Sequence, residues 1–278
     1  MYARLIAFLL VICIYNNLQA QDPIPYGANS SAGHYLPTRG IRLYYETYGK
    51  GEPLVLMHTN GGSIKIFANQ IPYFSRHYRV IAVDSRAKGR SVDTKDSLTF
   101  EMMADDFNAL LDSLHLDSCY VIGWSDGGIT GLLLAIRHPE KVKKLVAVGA
   151  NLWPDTTGLI PYVFHHIEEE VAALRKQPQT PETKNQLKIL ELDLKEPHMT
   201  LDQLHAIQCP VFVIGGDHDA ILPLHTLQIA ANIPLSYLWI VPNSGHSSPV
   251  FKKQQFNVQV EDFFSKAYRK IEGPAVFQ

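Results

Sequence analysis

The stretch that decides the fold is residues 119–127, CYVIGWSDG, followed by an apolar run from Ile129 to Ile136. This order predicts a buried strand, an abrupt turn and a helix. Gly123 and Gly127 flank the turn, and glycine allows close backbone packing and strained dihedrals at the residue between. A turn of this kind holds the hydroxyl of Ser125 at the carboxyl edge of a sheet, in front of a helix N-terminus. The stretch therefore predicts a nucleophile elbow.

Two further polar segments each follow a predicted buried strand. Residues 210–214 lead into 215–219, GGDHD, and residues 236–241 lead into 242–246, PNSGH. Carboxyl ends of parallel strands meet at one sheet edge, where open α/β sheets place their sites. An acid and then a histidine after the serine is also the chain order that an elbow demands. We therefore expect His246 and either Asp217 or Asp219 to lie near Ser125.

These motifs resemble the α/β-hydrolase superfamily from about residue 34 to residue 268. The chain is most similar to small bacterial hydrolases of the esterase, haloperoxidase-like and C–C hydrolase type. The matching segments come in family order, namely Leu54–His58 with Asn60, Val80–Arg86 with Gly89 and Ser91, the elbow, Gly216–Pro223 and Ser244–His246. The fold that the resemblance implies is α/β, with a mostly parallel eight-stranded sheet flanked by helices and a small helical cap.

The resemblance also implies the roles of the site residues. Ser125 attacks a carbonyl, His246 takes and returns the proton, and an aspartate orients the imidazole. The family spacing of glycine, two residues and aspartate selects Asp219 over Asp217. The amide after the nucleophile, at Asp126, and the amide of Asn60 would form the oxyanion hole.

The sequence departs from the family pattern at two loops. Thr59 stands where relatives carry glycine, and threonine adopts positive φ only at a cost, so either the loop uses the freedom of Gly61-Gly62 or the oxyanion hole is altered. Ala87 and Lys88 replace a common Gly-His pair, which we interpret as tolerated variation. Asp84 precedes the elbow, and we interpret it as a satisfied carboxylate that holds the following loop.

Length and composition agree with one globular enzyme domain and give no reason to invoke a cofactor. Of 278 residues, 46% are hydrophobic and 19% charged, which suits a sizeable core. The formal net charge of −2 gives no basic excess for nucleic acid. Phosphate-binding glycine loops and zinc-motif histidine pairs are absent from the sequence. We expect a small-molecule substrate, no metal and no organic cofactor; oligomeric state is left open.

The first 20 residues have the pattern of a signal peptide. Arg4 precedes the apolar run 5–14, and a cut is expected at Ala20/Gln21, so the protein is expected to be exported, to the periplasm or the medium. The apolar run is short for a membrane span. Lipidation of Cys13 is disfavoured by the bulky residue before it. Cys119 and Cys209 then remain, and we expect buried free thiols.

Strand and helix patterns alternate except in one segment. An opening hairpin at 35–36 and 41–48 precedes strands at 53–57, 78–83, 119–123, 144–148, 210–214 and 236–241, with the clearest helix at 101–114. Residues 152–205 show helical runs at 162–175 and 181–194 and no strand, so we assign them to a cap and residues 21–151 and 206–278 to the core. Trp124, Trp153 and Tyr162 are the candidate pocket residues.

Three functional hypotheses stay open at this level. The first is a serine hydrolase that forms an acyl-enzyme on a small ester-like substrate. The same triad would serve a C–C bond hydrolase or a cofactor-free perhydrolase. A ligand-binding, receptor-like protein on the same fold is the non-enzymatic alternative.

Overall fold

The computed structural model of the protein describes residues 24–271, together with 273 and 276. The predicted signal peptide and its cleavage site lie outside the described residues. Within them the chain forms eight strands: β1 Gly33–Thr38, β2 Ile41–Tyr48, β3 Glu52–Met57, β4 Tyr78–Val83, β5 Cys119–Trp124, β6 Val142–Val148, β7 Val211–Gly216 and β8 Ser236–Val241. The hairpin and the six later strands are confirmed, and each of the six begins and ends within two residues of its predicted bounds.

Helices connect most of the strands. Over the same residues they are α1 Ile71–Phe74, α2 Phe100–Ser113, α3 Asp126–Arg137, α4 Pro161–Arg175, α5 Pro181–Lys195, α6 Leu201–Leu204, α7 Pro223–Ala231, α8 Ser248–Phe251 and α9 Lys253–Ser265, with 3₁₀ turns at Ile64–Phe67 and Pro139–Lys141. In this described part of the chain, no helix is long and apolar enough to cross a membrane.

The eight strands form one sheet in the order β1-β2-β4-β3-β5-β6-β7-β8. Strand β2 pairs antiparallel with both β1 and β4, and all other neighbours are parallel. The predicted fold class, a mostly parallel eight-stranded sheet flanked by helices, is therefore confirmed.

The hydrophobic core lies on both faces of the sheet. Successive strand residues point to opposite faces, so Val55 and Met57 of β3 pack with helices α2 and α3, whereas Leu54 and Leu56 pack with α1 and α9. Burial on both faces explains why the central strands are continuous apolar runs. Cys119 and Cys209 are both buried and unpaired, and burial raises the pKa of each thiol to about 12.

The parallel registers bring the carboxyl ends of six strands, β3 to β8, to one edge. Met57 lies opposite Gly123, Trp124 opposite Val148, Val148 opposite Ile214, and Gly216 opposite Val241. The loops that begin at residues 58, 125, 149, 217 and 242 therefore start side by side.

Residues 152–205, the predicted cap, contain helices α4, α5 and α6 and no strand. One isolated bridge, between Leu159 and Ile221, ties the start of this segment to the loop after β7. Helix α4 has a single buried residue, Val171, so it packs lightly. The proposed boundaries of the cap remain a prediction.

Two buried polar residues hold the loops at this edge. Asp84 accepts hydrogen bonds from the amides of Ile64 and Arg90, both at 2.8 Å, which accounts for its burial as a loop anchor. The amide of Ser85 donates to Nε2 of His58 at 2.9 Å, and Nδ1 of His58 donates to the Thr59 carbonyl at 2.8 Å. This arrangement requires a neutral imidazole. Burial, with a contribution from the charge of Lys88, lowers the pKa of His58 to about 3.

The elbow depends on glycines at two backbone contacts. A Cβ on Gly127 would fall well inside contact distance of the Met57 carbonyl, and one on Gly123 would collide with the Gly127 carbonyl. These partners are backbone atoms of a strand and a helix, so they cannot move aside. Helix α3 therefore packs against β3 more closely than it could with any residue other than glycine at position 127.

We expect Gly127→Ala to lower the free energy of unfolding by about 3 kcal/mol or more, or to prevent folding, because the added methyl overlaps backbone. Gly61→Ala is the matched control, since its Cβ would meet nothing within 4 Å and only the positive φ of 59° is unfavourable. Urea unfolding of both variants measures the difference. Equal losses would show that the contact with Met57 does not constrain the fold.

A second prediction concerns acid stability. The unfolded chain protonates His58 near pH 6.5, whereas the folded chain does so near pH 3, so stability falls as the pH drops through this window. A glutamine can accept the hydrogen bond from the Ser85 amide and does not titrate. When the pH is lowered from 7 to 4.5, we expect the free energy of unfolding of His58→Gln to fall by about 2 kcal/mol less than that of wild type. Exposed His165→Gln is the control, and identical acid slopes in His58→Gln and wild type would contradict the prediction.

Candidate active site

Ser125 occupies a strained turn between β5 and α3. Its φ of 58° and ψ of −116° are dihedrals that non-glycine residues rarely adopt. Its amide donates to the Val148 carbonyl of β6 at 2.7 Å, and its carbonyl accepts from the amide of Ile129 at 3.0 Å. The side chain is partly exposed at the N-terminus of α3, while the glycines on either side are buried. Such strain persists where the surroundings over-determine the conformation, and it clusters at functional sites.

His246 and Asp219 meet from neighbouring loops. Nδ1 of His246 donates to Oδ1 of Asp219 at 2.6 Å. Asp219 is 3% exposed and also accepts from the amides of Gly216 at 2.9 Å and Ile221 at 3.2 Å. Burial alone would raise the pKa of Asp219, but the hydrogen bond and charge of His246, with the two amides, bring it below its usual value. An ionised Asp219 thus fixes the proton of His246 on Nδ1, which leaves Nε2 free to accept one.

Asp217 makes a different set of contacts. It accepts from the amides of Asn243 at 2.8 Å and Ser244 at 2.9 Å, and from Nδ1 of His218 at 2.8 Å. The Ser244 amide is the largest of the causes that lower the pKa of its carboxyl. Asp217 therefore holds the loop that carries His246, and Asp219 is the aspartate in contact with the imidazole.

The surroundings of His246 restrict where its ring can go. A Cβ on Gly149, which has a φ of 56°, would lie 2.7 Å from the ring carbon Cε1. The indole Nε1 of Trp124 donates to the backbone carbonyl of His246 at 2.9 Å. The end of β6 and the residue before Ser125 thus both support the histidine. Sequence reasoning missed Gly149, although a glycine directly after a buried strand is a usable signal.

The loop that carries Asn60 resolves the difficulty raised by Thr59. Among the described residues with positive φ, Gly61 is present at 59° and Thr59 is not. The loop therefore uses the freedom of Gly61. The side-chain amide of Asn60 donates to the carbonyl of Ile189 in α5 at 3.0 Å, which links this loop to the cap segment.

A cavity of about 630 Å³ lies between the cap segment and the core. Loops 60–62 and 87–89 form one side, and helices α4 and α5 form the other. The volume is within the range of small-ligand sites. None of Trp124, Trp153 and Tyr162 is among its lining residues.

The structure places those three aromatic residues elsewhere. Trp124 is 5% exposed and supports His246. Trp153 donates through Nε1 to the carbonyl of Met199 at 2.9 Å and packs edge-on against His225. Tyr162 is 76% exposed and stacks on His166. Packing and surface contacts thus account for each of them.

Lys88 is a residue of the site that sequence reasoning missed. It lines the cavity, its side chain is 1% exposed, and its ammonium is paired with the carboxylate of Asp126. The sequence pattern alone leads us to interpret it as tolerated variation in a structural loop. The replacement of a common histidine was the available signal. Among the described residues, no group of three or more His, Cys, Asp or Glu could hold a metal ion.

Known proteins are similar to this chain in architecture and in sequence. The sequence model of the α/β hydrolase fold family matches residues 52–183. The putative carbamate hydrolase RutD of Caulobacter sp. (strain K31) is 30% identical over 80% of this chain and 96% of its own length. The serine hydrolase BPHL of Mus musculus is 25% identical over 87% of this chain and 89% of its own. A hydrolase from Pseudomonas aeruginosa PA01 has the same fold, with a TM-score of 0.72 and 24% identity over 86% of this chain and all of that one.

The two relatives match this chain over 96% and 89% of their own lengths. The protein is therefore a hydrolase, and the chain belongs to the α/β-hydrolase family.

Proposed function

We propose that the protein is a serine hydrolase that cleaves a small ester-like substrate through a Ser125–His246–Asp219 triad. The observation that carries the proposal is the contact of the buried Asp219 with Nδ1 of His246, on the same sheet edge as the strained Ser125. The similarity to a protein named a serine hydrolase supports it.

In this mechanism the hydroxyl of Ser125 attacks the substrate carbonyl while Nε2 of His246 takes its proton. Asp219 stays ionised and stabilises the imidazolium that forms. His246 then returns the proton to the leaving group, which gives the acyl-enzyme, and water completes the cycle by the same route in reverse. The backbone amides of Asn60 and Asp126 are the proposed donors to the oxyanion.

The cavity beside Asn60 is the proposed substrate chamber. Its walls combine aliphatic side chains of α5, such as Ile189 and Leu190, with amide side chains such as Asn185. The volume of about 630 Å³ suits a small substrate rather than a long polymer. Short-chain esters are the first substrate class to test. Carbamates join them, because a relative over most of the chain is named a putative carbamate hydrolase.

We expect a fluorophosphonate probe to label the purified wild type, because the triad makes the serine hydroxyl nucleophilic. Ser125→Ala should abolish labelling and hydrolysis of 4-nitrophenyl acetate while leaving the circular dichroism spectrum unchanged. Gel fluorescence with intact-mass spectrometry measures the adduct. A folded wild type that neither labels nor hydrolyses the ester would contradict the proposed function and favour a binding role.

The two neighbouring aspartates provide a matched test of the orienting acid. We expect Asp219→Asn to lower kcat by about 10⁴-fold, since the amide stabilises the wrong tautomer of the histidine. Asp217→Asn should lose far less, because its contacts hold the loop and not the ring. Steady-state kinetics on both variants decide the matter. A larger loss in Asp217→Asn would show that the assignment of Asp219 is wrong.

A further inference from the structure

Lys88 is held rigidly beneath the cap segment. The neighbouring Arg86 is buried and makes two hydrogen bonds of 2.7 Å to the carboxylate of Asp106 in α2. The side-chain amide of Asn185 in α5 donates to the carbonyl of Ala87 at 2.8 Å. Lys88 is thus fixed from both sides, and its ammonium reaches the carboxylate of Asp126.

Asp126 is an unusual place for a buried carboxylate. It directly follows Ser125, it is the first residue of α3, and it is 2% exposed. Its backbone amide is the proposed oxyanion donor, so its side chain carries a negative charge close to the point where the reaction develops one. Like charges in a buried site repel strongly. An unpaired Asp126 would therefore oppose the transition state that its own amide stabilises.

A second carboxyl approaches from the cap segment. Asp193 of α5 lies within electrostatic range of Asp126 and Lys88. Burial, followed by the negative charge of Asp126, raises the pKa of Asp193 well above its usual value, whereas Lys88 acts in the opposite direction.

Lys88 and Asp126 form a buried ion pair, with side chains that are 1% and 2% exposed. The neutral imidazole of His58 and the carboxyl of Asp193 also lie within electrostatic range of the ammonium.

We propose that Lys88 is a positioning residue of the acyl-transfer reaction: its ammonium cancels the charge of Asp126 and fixes the turn whose amide faces the oxyanion. The hydrogen bond from Asn185 to the Ala87 carbonyl joins the loop that carries Lys88 to helix α5. The inference rests on the proposed serine hydrolase function. A purely structural lysine would stabilise the fold without altering the reaction of the molecules that are folded.

The test uses Lys88→Met, Asp126→Asn and the double variant with 4-nitrophenyl acetate as substrate. At pH 8, we expect Lys88→Met to lower kcat by about 10- to 100-fold, which is less than the roughly 10²- to 10³-fold loss seen when one oxyanion donor is removed. KM should change much less.

The double variant separates electrostatics from packing. Replacing Asp126 by asparagine in the Lys88→Met background removes the uncompensated charge, so kcat should recover at least tenfold. Lys144→Met is the matched control, because Lys144 is partly buried and donates to the carbonyls of Phe263 and Phe264 at the other end of the sheet.

Three results would overturn the inference. The first is a Lys88→Met enzyme whose kcat, corrected for the folded fraction, equals that of wild type. The second is a double variant no faster than Lys88→Met. The third is a wild type that neither labels with fluorophosphonate nor hydrolyses the ester, which would overturn the proposed function as well. The first two, with an active wild type, would overturn the role of Lys88 alone.

Discussion

Backbone meets backbone where helix α3 crosses the end of strand β3. At Gly127 there is no room for a side chain against the Met57 carbonyl, and Gly123 approaches the same turn from the other side. This contact sets the distance between helix α3 and the sheet, and the turn that makes it possible includes the strained dihedrals of Ser125. The positions of the Asp126 amide and of the loop after β6 follow from it. The other residues of the site are therefore positioned relative to the contact between Gly127 and Met57, which is too closely packed to shift.

The acidic loop after β7 divides two tasks between aspartates two residues apart. Asp217 binds the amides of the loop that ends at His246, and Asp219 binds the imidazole itself. One carboxylate could not do both, since a carboxylate that orients the ring must be buried beside it, whereas one that holds the loop must reach its outer amides. The pair thus separates the placement of the histidine backbone from the orientation of its ring.

The sheet and the strand-end motifs could be predicted because they depend on local patterns. Apolar runs marked the central strands, and the parallel arrangement then placed 125, 219 and 246 at one edge. The cap side of the site could not be predicted in the same way. The burial of Lys88 depends on Asp126 and on a helix about a hundred residues further along the chain, and no local pattern reports such a contact.

The aromatic residues proposed for the pocket do not line the cavity between the cap segment and the core. Trp153 and Tyr162 are prominent in the sequence, but this cavity is lined mostly by glycines, amides and aliphatic side chains. Residue type alone does not report which face of a cap helix turns toward the core. At the loop after Thr59 a local pattern was useful, because the glycines that follow it indicated where the backbone could adopt a positive φ.

The light packing of helix α4 has an evolutionary consequence. Only Val171 of its 15 residues is buried, although several others border the cavity. Substitutions along this helix can therefore change the shape of the chamber at little cost in stability, whereas substitutions around the elbow cannot. Selection can act on substrate preference in one segment while the catalytic geometry stays constant in another. Such a chain can diverge in what it hydrolyses well before it diverges in how it folds.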